Sequence, residues 1–228
     1  MRASRSRWVA AGKKNVARSV VGLSKKSQTE KNSNEANALL SRPELGHIMT
    51  FIPKEKTAFT RVLQGMIAMS RARFPKGLAG RDLDVLARYP LWLADQDFAH
   101  GTGHGVGVHL CVHEGPQRLS RTSHVPLKPG MILSNEPGYY REGAFGIRIE
   151  NLLVVQKANP LEGGDPGDRY CFETLSYVPI DLDMVQVDML SNEERAWLNT
   201  YHAACRDKLT SLLSPDASEW LQNATRPL

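Results

Sequence analysis

Apolar positions from residue 55 to residue 74 follow the spacing of a helix that buries one face. The residues on that face are Phe59, Val62, Leu63, Met66, Ile67 and Met69. The pattern stops at Pro75, and a proline commonly follows the end of a helix. We therefore predict a first helix over Glu55–Phe74, with its methionines in the core. A second helix is predicted from Arg81 to Ala87, ahead of Pro90.

The middle of the chain has the apolar runs that are typical of strands. Val106–Val112 and Met131–Leu133 are short runs next to glycine and proline, and Phe145–Val155 is a longer one. Phe172–Ile180 alternates between two sets of side chains, as a strand with two different faces does. The order of helices followed by strands predicts an α+β fold.

The last part of the chain returns to a helical pattern. Ser191 and Glu194 have the spacing of a capping box, so we predict a helix from Ser191 to about Leu213. A short last helix is predicted over Pro215–Leu221. The tryptophans of this part, Trp197 and Trp220, are interpreted as structural, with a homodimer contact through the C-terminal region as the alternative.

Composition indicates a globular protein, because 41% of the 228 residues are hydrophobic. No run approaches the roughly 20 apolar residues of a membrane helix. Eight of the 29 Lys and Arg residues lie in residues 1–29, where there is no acidic residue. The rest of the chain is slightly acidic, which argues against a nucleic-acid partner. Three cysteines without a C-x-x-C pair suit a reducing compartment.

The basic start of the chain differs in composition from the remainder. We predict that residues 1–48 are an arm outside the folded domain, and that residues 49–228 form that domain. The expected location is the cytoplasm. Because the first thirty residues are rich in Arg and Ser and lack acids, a mitochondrial transit peptide is the alternative.

Candidate chemistry is concentrated between His100 and Pro116, where four of the seven histidines fall within fourteen residues. The four glycines of this segment, Gly101, Gly103, Gly105 and Gly107, would each cost about 1 kcal/mol in a helix. A helical zinc motif is therefore excluded. The pattern predicts a glycine turn whose backbone can approach another group closely. The alternative is a Gly-rich hairpin with solvated histidines.

Two glutamates come after the histidines, in short apolar segments. Glu136 lies just beyond the predicted strand Met131–Leu133, and Glu150 is expected to be buried between apolar neighbours. A buried carboxylate is usually protonated, ion-paired or bound to a metal. Arg148 shares a strand face with Glu150 and offers the ion-pair alternative. Together with His104, the two glutamates suit Mn²⁺, Fe²⁺, Co²⁺ or Zn²⁺.

Four segments carry a family resemblance. His-Gly-Thr-Gly-His-Gly-Val-Gly begins at His100, Val-His-Glu-Gly-Pro at Val112, Asn-Glu-Pro-Gly-Tyr-Tyr at Asn135, and Gly-Ile-Arg-Ile-Glu-Asn at Gly146. From about Phe51 onwards the chain resembles eukaryotic aminopeptidase P, the X-Pro aminopeptidase branch of the pita-bread metallopeptidases. The resemblance implies a curved antiparallel sheet flanked by helices, with the first half of the pita-bread repeat largely missing.

The resemblance also implies an activity and a set of residue roles. The expected activity is metal-dependent release of the first residue from peptides with proline in second position. The family uses two metal ions, for which we expect Mn²⁺, with Zn²⁺ or Co²⁺ as alternatives. The implied metal ligands are His104, Glu136 and Glu150, with Glu136 also moving a proton. His113 is expected to shuttle protons and stabilise the oxyanion, and His100 to line the prolyl pocket.

Two further residues have expected supporting roles. Arg148 is expected to orient the ligand Glu150 without itself binding the metal. His109 has no counterpart in the family pattern and is interpreted as structural. Four aspartates in or beside the second predicted helix are interpreted as solvated or capping groups: Asp82, Asp84, Asp95 and Asp97.

The aspartate content departs from the family pattern. The family's two aspartate ligands precede the first helix, and this chain has no aspartate upstream of Phe59. We therefore expect at most one well-liganded metal site and weak or absent activity in the chain by itself. The alternatives are a non-catalytic relative that binds peptide or a partner subunit, and a small metal-binding or structural domain with a targeting arm.

Overall fold

The structure, a computed structural model, describes residues 53–109 and 111–228. The predicted basic arm and transit peptide lie outside the described residues. Helices α1 to α4 span Pro53–Ser70, Gly80–Trp92, Asn192–Leu209 and Pro215–Ala224. Strands β1 to β8 span Arg73–Pro75, Gly103–His104, Arg118–Leu119, Ile132–Asn135, Gly138–Arg141, Phe145–Arg148, Asn151–Lys157 and Arg169–Thr174. Short 3₁₀ turns occur at Leu182–Met184, Val187–Met189 and Thr210–Leu212.

The strands form one larger sheet and two small ones, all antiparallel. The larger sheet has the order β1-β8-β7-β4, and the small sheets pair β2 with β3 and β5 with β6. In the larger sheet, Asn135 at the end of β4 is opposite Asn151 at the start of β7. The described part is therefore an α+β structure, as predicted.

Helix α1 joins two hydrophobic cores. Its apolar face contributes to a core with β6 and α3, and its last turn contributes Met69 to a core with α2 and the larger sheet. Six hydrophobic residues of α1 are fully buried, namely Phe59, Val62, Leu63, Met66, Ile67 and Met69. Burying a side chain of this kind contributes roughly 1.5–3 kcal/mol. The prediction that the methionine stripe belongs to the core is confirmed.

Both predicted helix ends in the first part of the chain are wrong. Helix α1 stops at Ser70, and Phe74 lies in β1 opposite Tyr170. Helix α2 runs through Pro90 to Trp92 instead of ending at Ala87. A proline inside a helix costs one hydrogen bond, and full burial of Leu91 offsets this cost. Tertiary packing thus overrides the local signal.

Three predicted strands also require correction. The described residues between Val106 and Val112 form no strand. The predicted strand Phe145–Val155 is two strands in different sheets, with a break at residues 149–150. The predicted strand Phe172–Ile180 ends at Thr174. Beyond it, side chains of α3 replace a partner strand: Tyr201 Oη and His202 Nε2 accept the backbone N–H groups of residues 178 and 180.

The C-terminal predictions agree better with the structure. The Ser191 hydroxyl accepts from the N–H of Glu194, whose carboxylate accepts in return from the N–H of Ser191, so the capping box is confirmed. Trp197 stacks on Tyr201 with ring centroids 5.2 Å apart, in agreement with a structural role. In the part of the chain that the structure describes, none of the helices combines the length and apolarity that crossing a membrane requires.

A buried histidine in α3 predicts loss of stability at mildly acidic pH. His202 is fully buried, and its Nδ1 has no hydrogen-bond partner among the described residues. Burial, aided by Arg206 and Arg226, lowers its pKa from 6.5 to about 4. The unfolded chain therefore takes up this proton first, and the free energy of unfolding falls between pH 6.5 and pH 4, by about 3 kcal/mol. Urea unfolding between pH 7.5 and 4.5 measures this fall.

The His202→Gln variant should lose most of this pH dependence. His124 is exposed, so the matched variant His124→Gln should retain the slope of the wild type. Equal slopes in all three proteins would contradict the prediction.

Candidate active site

The histidine turn, residues 100–116, lies directly on the end of the larger sheet. His104 pairs with Arg118 across β2 and β3, and Gly105 forms a bridge to Leu133 in β4. A Cβ atom added to Gly103 would lie 1.8 Å from the backbone oxygen of Ser134. The predicted close approach is thus present, and the group that the turn approaches is the backbone of β4.

The end of β4 places Glu136 beside this turn. The Asn135 amide donates to the carbonyl oxygen of Met66 at 3.0 Å and to the Ser70 hydroxyl at 3.1 Å, which anchors the strand end to α1. The next N–H, that of Glu136, donates to the carbonyl oxygen of Thr102 at 2.8 Å. Glu136 is therefore held from both the helix and the turn.

His104 and Glu136 are in direct contact. Nε2 of His104 lies 3.1 Å from Oε1 of Glu136. The buried Ser134 hydroxyl joins them, since it accepts from the N–H of His104 and donates to Oε1 of Glu136, both at 3.0 Å. Nδ1 of His104 faces the carbonyl oxygen of Gly105 at 3.0 Å. A carbonyl oxygen only accepts, so this contact places a proton on Nδ1 and turns Nε2 towards the carboxylate of Glu136.

Arg148 and Glu150 lie on the other side of this pair. Arg148 Nη1 is 3.5 Å from Oε2 of Glu136, and its Nε donates to Tyr140 Oη at 2.7 Å. Burial and the charge of Glu136 raise the pKa of Glu150, while Arg148 and His104 act in the opposite direction. The charge of Glu136 thus opposes the ionisation of Glu150, and a cation between the two carboxylates would relieve this repulsion.

Two further histidines complete the cluster. The ring of His113 lies 4.2 Å from that of His104, measured between centroids. His100 is in contact with Tyr140, with 3.0 Å between Nε2 and Oη. Burial and the positive charge of Arg148 lower the pKa of His100, against the carbonyl oxygen of Gly101, which raises it. His100 is therefore a neutral ring at neutral pH.

These side chains border two adjoining cavities, and His104 and Arg148 line both. One cavity, of about 410 Å³, has mostly apolar walls and contains Glu150. The other, of about 390 Å³, is polar and contains Glu136, His100 and His113. All six residues that the sequence proposed for the site therefore lie around the same pair of cavities.

The donor set fits a divalent ion only in part. Among the described residues, no group of three or more His, Cys, Asp or Glu side chains is close enough to hold a metal ion. His104 and Glu136 supply two donors, and the Nδ1–H to carbonyl bond is the orientation that metal-binding histidines have. Glu150 is near enough for electrostatic coupling to both. One imidazole and two carboxylates suit one divalent ion by ligand type, but the described residues do not bring all three within reach of a single ion, and a second ion has too few donors here.

Several expectations about individual side chains are corrected. Glu150 is exposed towards the open cavity rather than buried within a strand, because the strand is interrupted at residues 149–150. Arg148 forms its ion pair with Glu136 and not with Glu150. Asp84 is neither solvated nor a cap, since it is 1% exposed and pairs with Arg88. Asp82 does cap α2, by accepting from the N–H of Ala79.

Two site residues were missed in the sequence. Ser134 lies two positions before Glu136, and the period of two in a strand places both on one face. Tyr140 contacts both His100 and Arg148. It faces Gly146 across the hairpin of β5 and β6, so recognising this hairpin would have indicated its position near Arg148.

Comparisons with known proteins agree with this architecture. Residues 45–157 match the model of metallopeptidase family M24, and residues 168–228 match that of the C-terminal region of peptidase M24. Aminopeptidase P1 and P2 of Arabidopsis thaliana are 47% and 51% identical over 178 residues, 76% and 77% of this chain. The X-prolyl aminopeptidase of Caenorhabditis elegans, a cytosolic enzyme with a di-nuclear active site, is 38% identical over 78% of the chain, with a TM-score of 0.73.

The chain therefore belongs to metallopeptidase family M24, whose pita-bread fold its helices and antiparallel sheets match. Within this family it resembles the C-terminal part of eukaryotic aminopeptidase P. It spans 27% and 25% of the two Arabidopsis relatives and 29% of the C. elegans chain. The family membership replaces the alternative of an unrelated small metal-binding domain.

The buried Ser134 hydroxyl predicts a measurable loss of stability. In Ser134→Ala, the N–H of His104 loses its acceptor and Glu136 loses a donor. Leaving a buried polar group without a partner costs about 1–3 kcal/mol, and urea unfolding measures this loss. The Ser120 hydroxyl bonds only to the exposed Thr122 hydroxyl at 3.3 Å among the contacts described, so Ser120→Ala should change stability by less than about 0.5 kcal/mol. Equal losses of stability in the two variants would refute the role assigned to the Ser134 hydroxyl.

Proposed function

We propose that this chain carries the histidine and glutamate side of the active site of an aminopeptidase that acts on peptides with proline in second position. The supporting observation is the contact of His104 with Glu136, bordered by Glu150 and by the two further histidines. The relatives named aminopeptidase P support the same reaction class. The proposal is hydrolysis of the bond between the first residue and the proline.

His104, Glu136 and Glu150 are the proposed ligands of one divalent ion. Such an ion, when bound, would supply an activated water and would polarise the carbonyl group of the scissile bond. Mn²⁺ is the proposed ion, and Zn²⁺ or Co²⁺ also suits one imidazole and two carboxylates. Ser134 fixes the orientation of both His104 and Glu136 by its two hydrogen bonds.

The remaining residues of the polar cavity have proposed roles towards the peptide. Glu136 accepts a proton from the attacking water and passes it to the prolyl nitrogen. His113, an exposed ring beside His104, donates to the developing oxyanion and shuttles protons. His100, held by Tyr140, lines the pocket for the proline ring. Arg148 positions Glu136 through their ion pair.

The second candidate is a non-catalytic relative that binds peptide or a partner subunit. This alternative is favoured by the incomplete ligand set of the described residues. A protein of this kind would retain the two cavities and the histidines but would not turn over peptide.

Two further proposals concern the cellular location and the assembly state. A cytoplasmic location is proposed, since the C. elegans relative is a cytosolic enzyme, and the mitochondrial alternative stays a prediction. A homodimer through the C-terminal region is also proposed. Sedimentation of the purified chain at several concentrations tests this proposal.

Metal binding and turnover test the main proposal together. The purified chain supplied with Mn²⁺ should bind one ion and release arginine from the peptide Arg-Pro-Pro. His104→Ala should weaken metal binding by at least 10-fold, since it removes one of three donors. Glu150→Gln should abolish arginine release, because an amide replaces a carboxylate donor. Calorimetry measures binding, and quantification of free arginine measures turnover.

His109→Ala is the matched control for the histidine substitution. His109 belongs to the same turn, is exposed, and has no proposed role, so its variant should bind metal as the wild type does. Metal binding without turnover would favour the non-catalytic alternative. Absence of binding in the wild type would refute the metal site.

A further inference from the structure

A buried arginine lies behind the histidine turn. Arg88 of α2 is 3% exposed, and all five of its N–H groups are engaged. Nε and Nη2 donate to the Asp84 carboxylate, and Nη1 donates to Asp97 at 2.7 Å. The remaining bonds reach the backbone: Nη1 donates to the carbonyl oxygen of Phe98 and Nη2 to that of His100, both at 2.7 Å.

Asp84 continues this network towards the turn. Its Oδ1 accepts from the Thr102 hydroxyl at 2.7 Å and from the Thr102 N–H at 3.4 Å. Both Asp84 and Thr102 are buried, at 1% and 0% exposure. The guanidinium of Arg88 also stacks over the Phe98 ring at 3.9 Å from its centroid. The Asp84–Arg88 pair thus contacts residues 97, 98, 100 and 102, directly before β2.

The segment from residue 97 to residue 102 has no helix or strand of its own. Its backbone conformation is therefore determined by side-chain contacts, and the Asp84–Arg88 pair supplies five of them. The segment carries His100, leads within two residues to His104, and supplies the Thr102 carbonyl oxygen that holds the N–H of Glu136. Displacement of this segment would therefore move all three side chains.

Stability alone gives a weak reason for such a pair. A buried ion pair contributes little net free energy compared with apolar residues of similar size, because both charges lose their hydration. Arg88 differs from a simple ion pair because two of its five hydrogen bonds go to carbonyl oxygens of one irregular segment. An apolar residue could fill the volume but could not fix these carbonyl groups.

We propose that Asp84 and Arg88 are positioning residues, which fix the segment 97–102 and thereby the placement of His100, His104 and Glu136. The positioning is purely conformational, and neither side chain borders the polar cavity that contains Glu136. The expected effect on metal binding rests on the proposed function. The expected effect on the conformation of residues 97–102 does not depend on that function.

The test uses a double variant that leaves no unpaired charge. Asp84→Leu combined with Arg88→Met should fold but unfold at a lower temperature than the wild type, because the Thr102 hydroxyl and two backbone carbonyl oxygens lose their partners. Two measurements then report on the turn: hydrogen exchange of the Thr102 amide, followed by NMR, and Co²⁺ affinity, measured by calorimetry. We expect the acceleration of exchange at Thr102 to exceed that at Leu153 in β7 by at least 10-fold, and Co²⁺ binding to weaken about 10-fold, as for loss of an outer-shell partner.

Two further variants keep the result interpretable if the double variant fails to fold. Thr102→Val retains the shape of the side chain and removes its hydroxyl. We therefore expect exchange at residue 102 to be a few-fold faster and Co²⁺ binding to be a few-fold weaker than in the wild type. Arg88→Lys retains the charge but has fewer hydrogen-bond donors. Its Thr102 exchange rate and its Co²⁺ affinity should lie between those of the wild type and the double variant.

Arg121→Met is the matched control. Arg121 pairs with Oδ2 of Asp97 at 2.6 Å, reaches Asp84 only at 3.9 Å, and has no described bond to the backbone of residues 98–102, so its variant should stay close to the wild type in both measurements. Unchanged Thr102 exchange and Co²⁺ affinity in folded Asp84→Leu/Arg88→Met would overturn the proposal. If the wild type binds no Co²⁺, the proposed metal site fails, and Thr102 exchange alone then decides whether the pair positions the turn.

Discussion

The close approach of the histidine turn to β4 is the constraint on which the site depends. Gly103 lies so near the Ser134 backbone that no side chain fits between them. This approach allows one buried hydroxyl, that of Ser134, to hold both His104 and Glu136. Because these two residues come from segments about thirty residues apart, their contact exists only while the turn remains on the strand.

The rest of the described fold supports this approach from two directions. Helix α1 holds the end of β4 through Asn135, and it is itself fixed by two hydrophobic cores. Helix α2 holds the segment before the turn through Asp84 and Arg88. The helices approach closely at Gly65, where an added Cβ would lie 2.2 Å from the Ala87 carbonyl oxygen. The strand and the turn are therefore attached to one packed pair of helices.

Sequence patterns located elements well where local signals and packing agree. The methionine stripe of α1 and the capping box of α3 are confirmed, because each depends on residues within a few positions of one another. The strand predictions between Val106 and Ile180 were less accurate. There, the side chains of Tyr201 and His202 replace a partner strand, and a break at residues 149–150 sends β6 and β7 into different sheets. Such partners are distant in sequence, so no local pattern contains them.

The residue types of the site and a close approach of its backbone are already recognisable in the amino-acid sequence. Histidines and carboxylates are recognisable as metal donors, and clustered glycines indicate backbone that must pass close to another group. The partners of these residues follow only from packing in three dimensions. Arg148 pairs with Glu136, Glu150 lies at an open cavity, and Asp84 is buried against Arg88. Which charged groups form an ion pair depends on their distance and burial in three dimensions. Spacing along the chain specifies neither quantity.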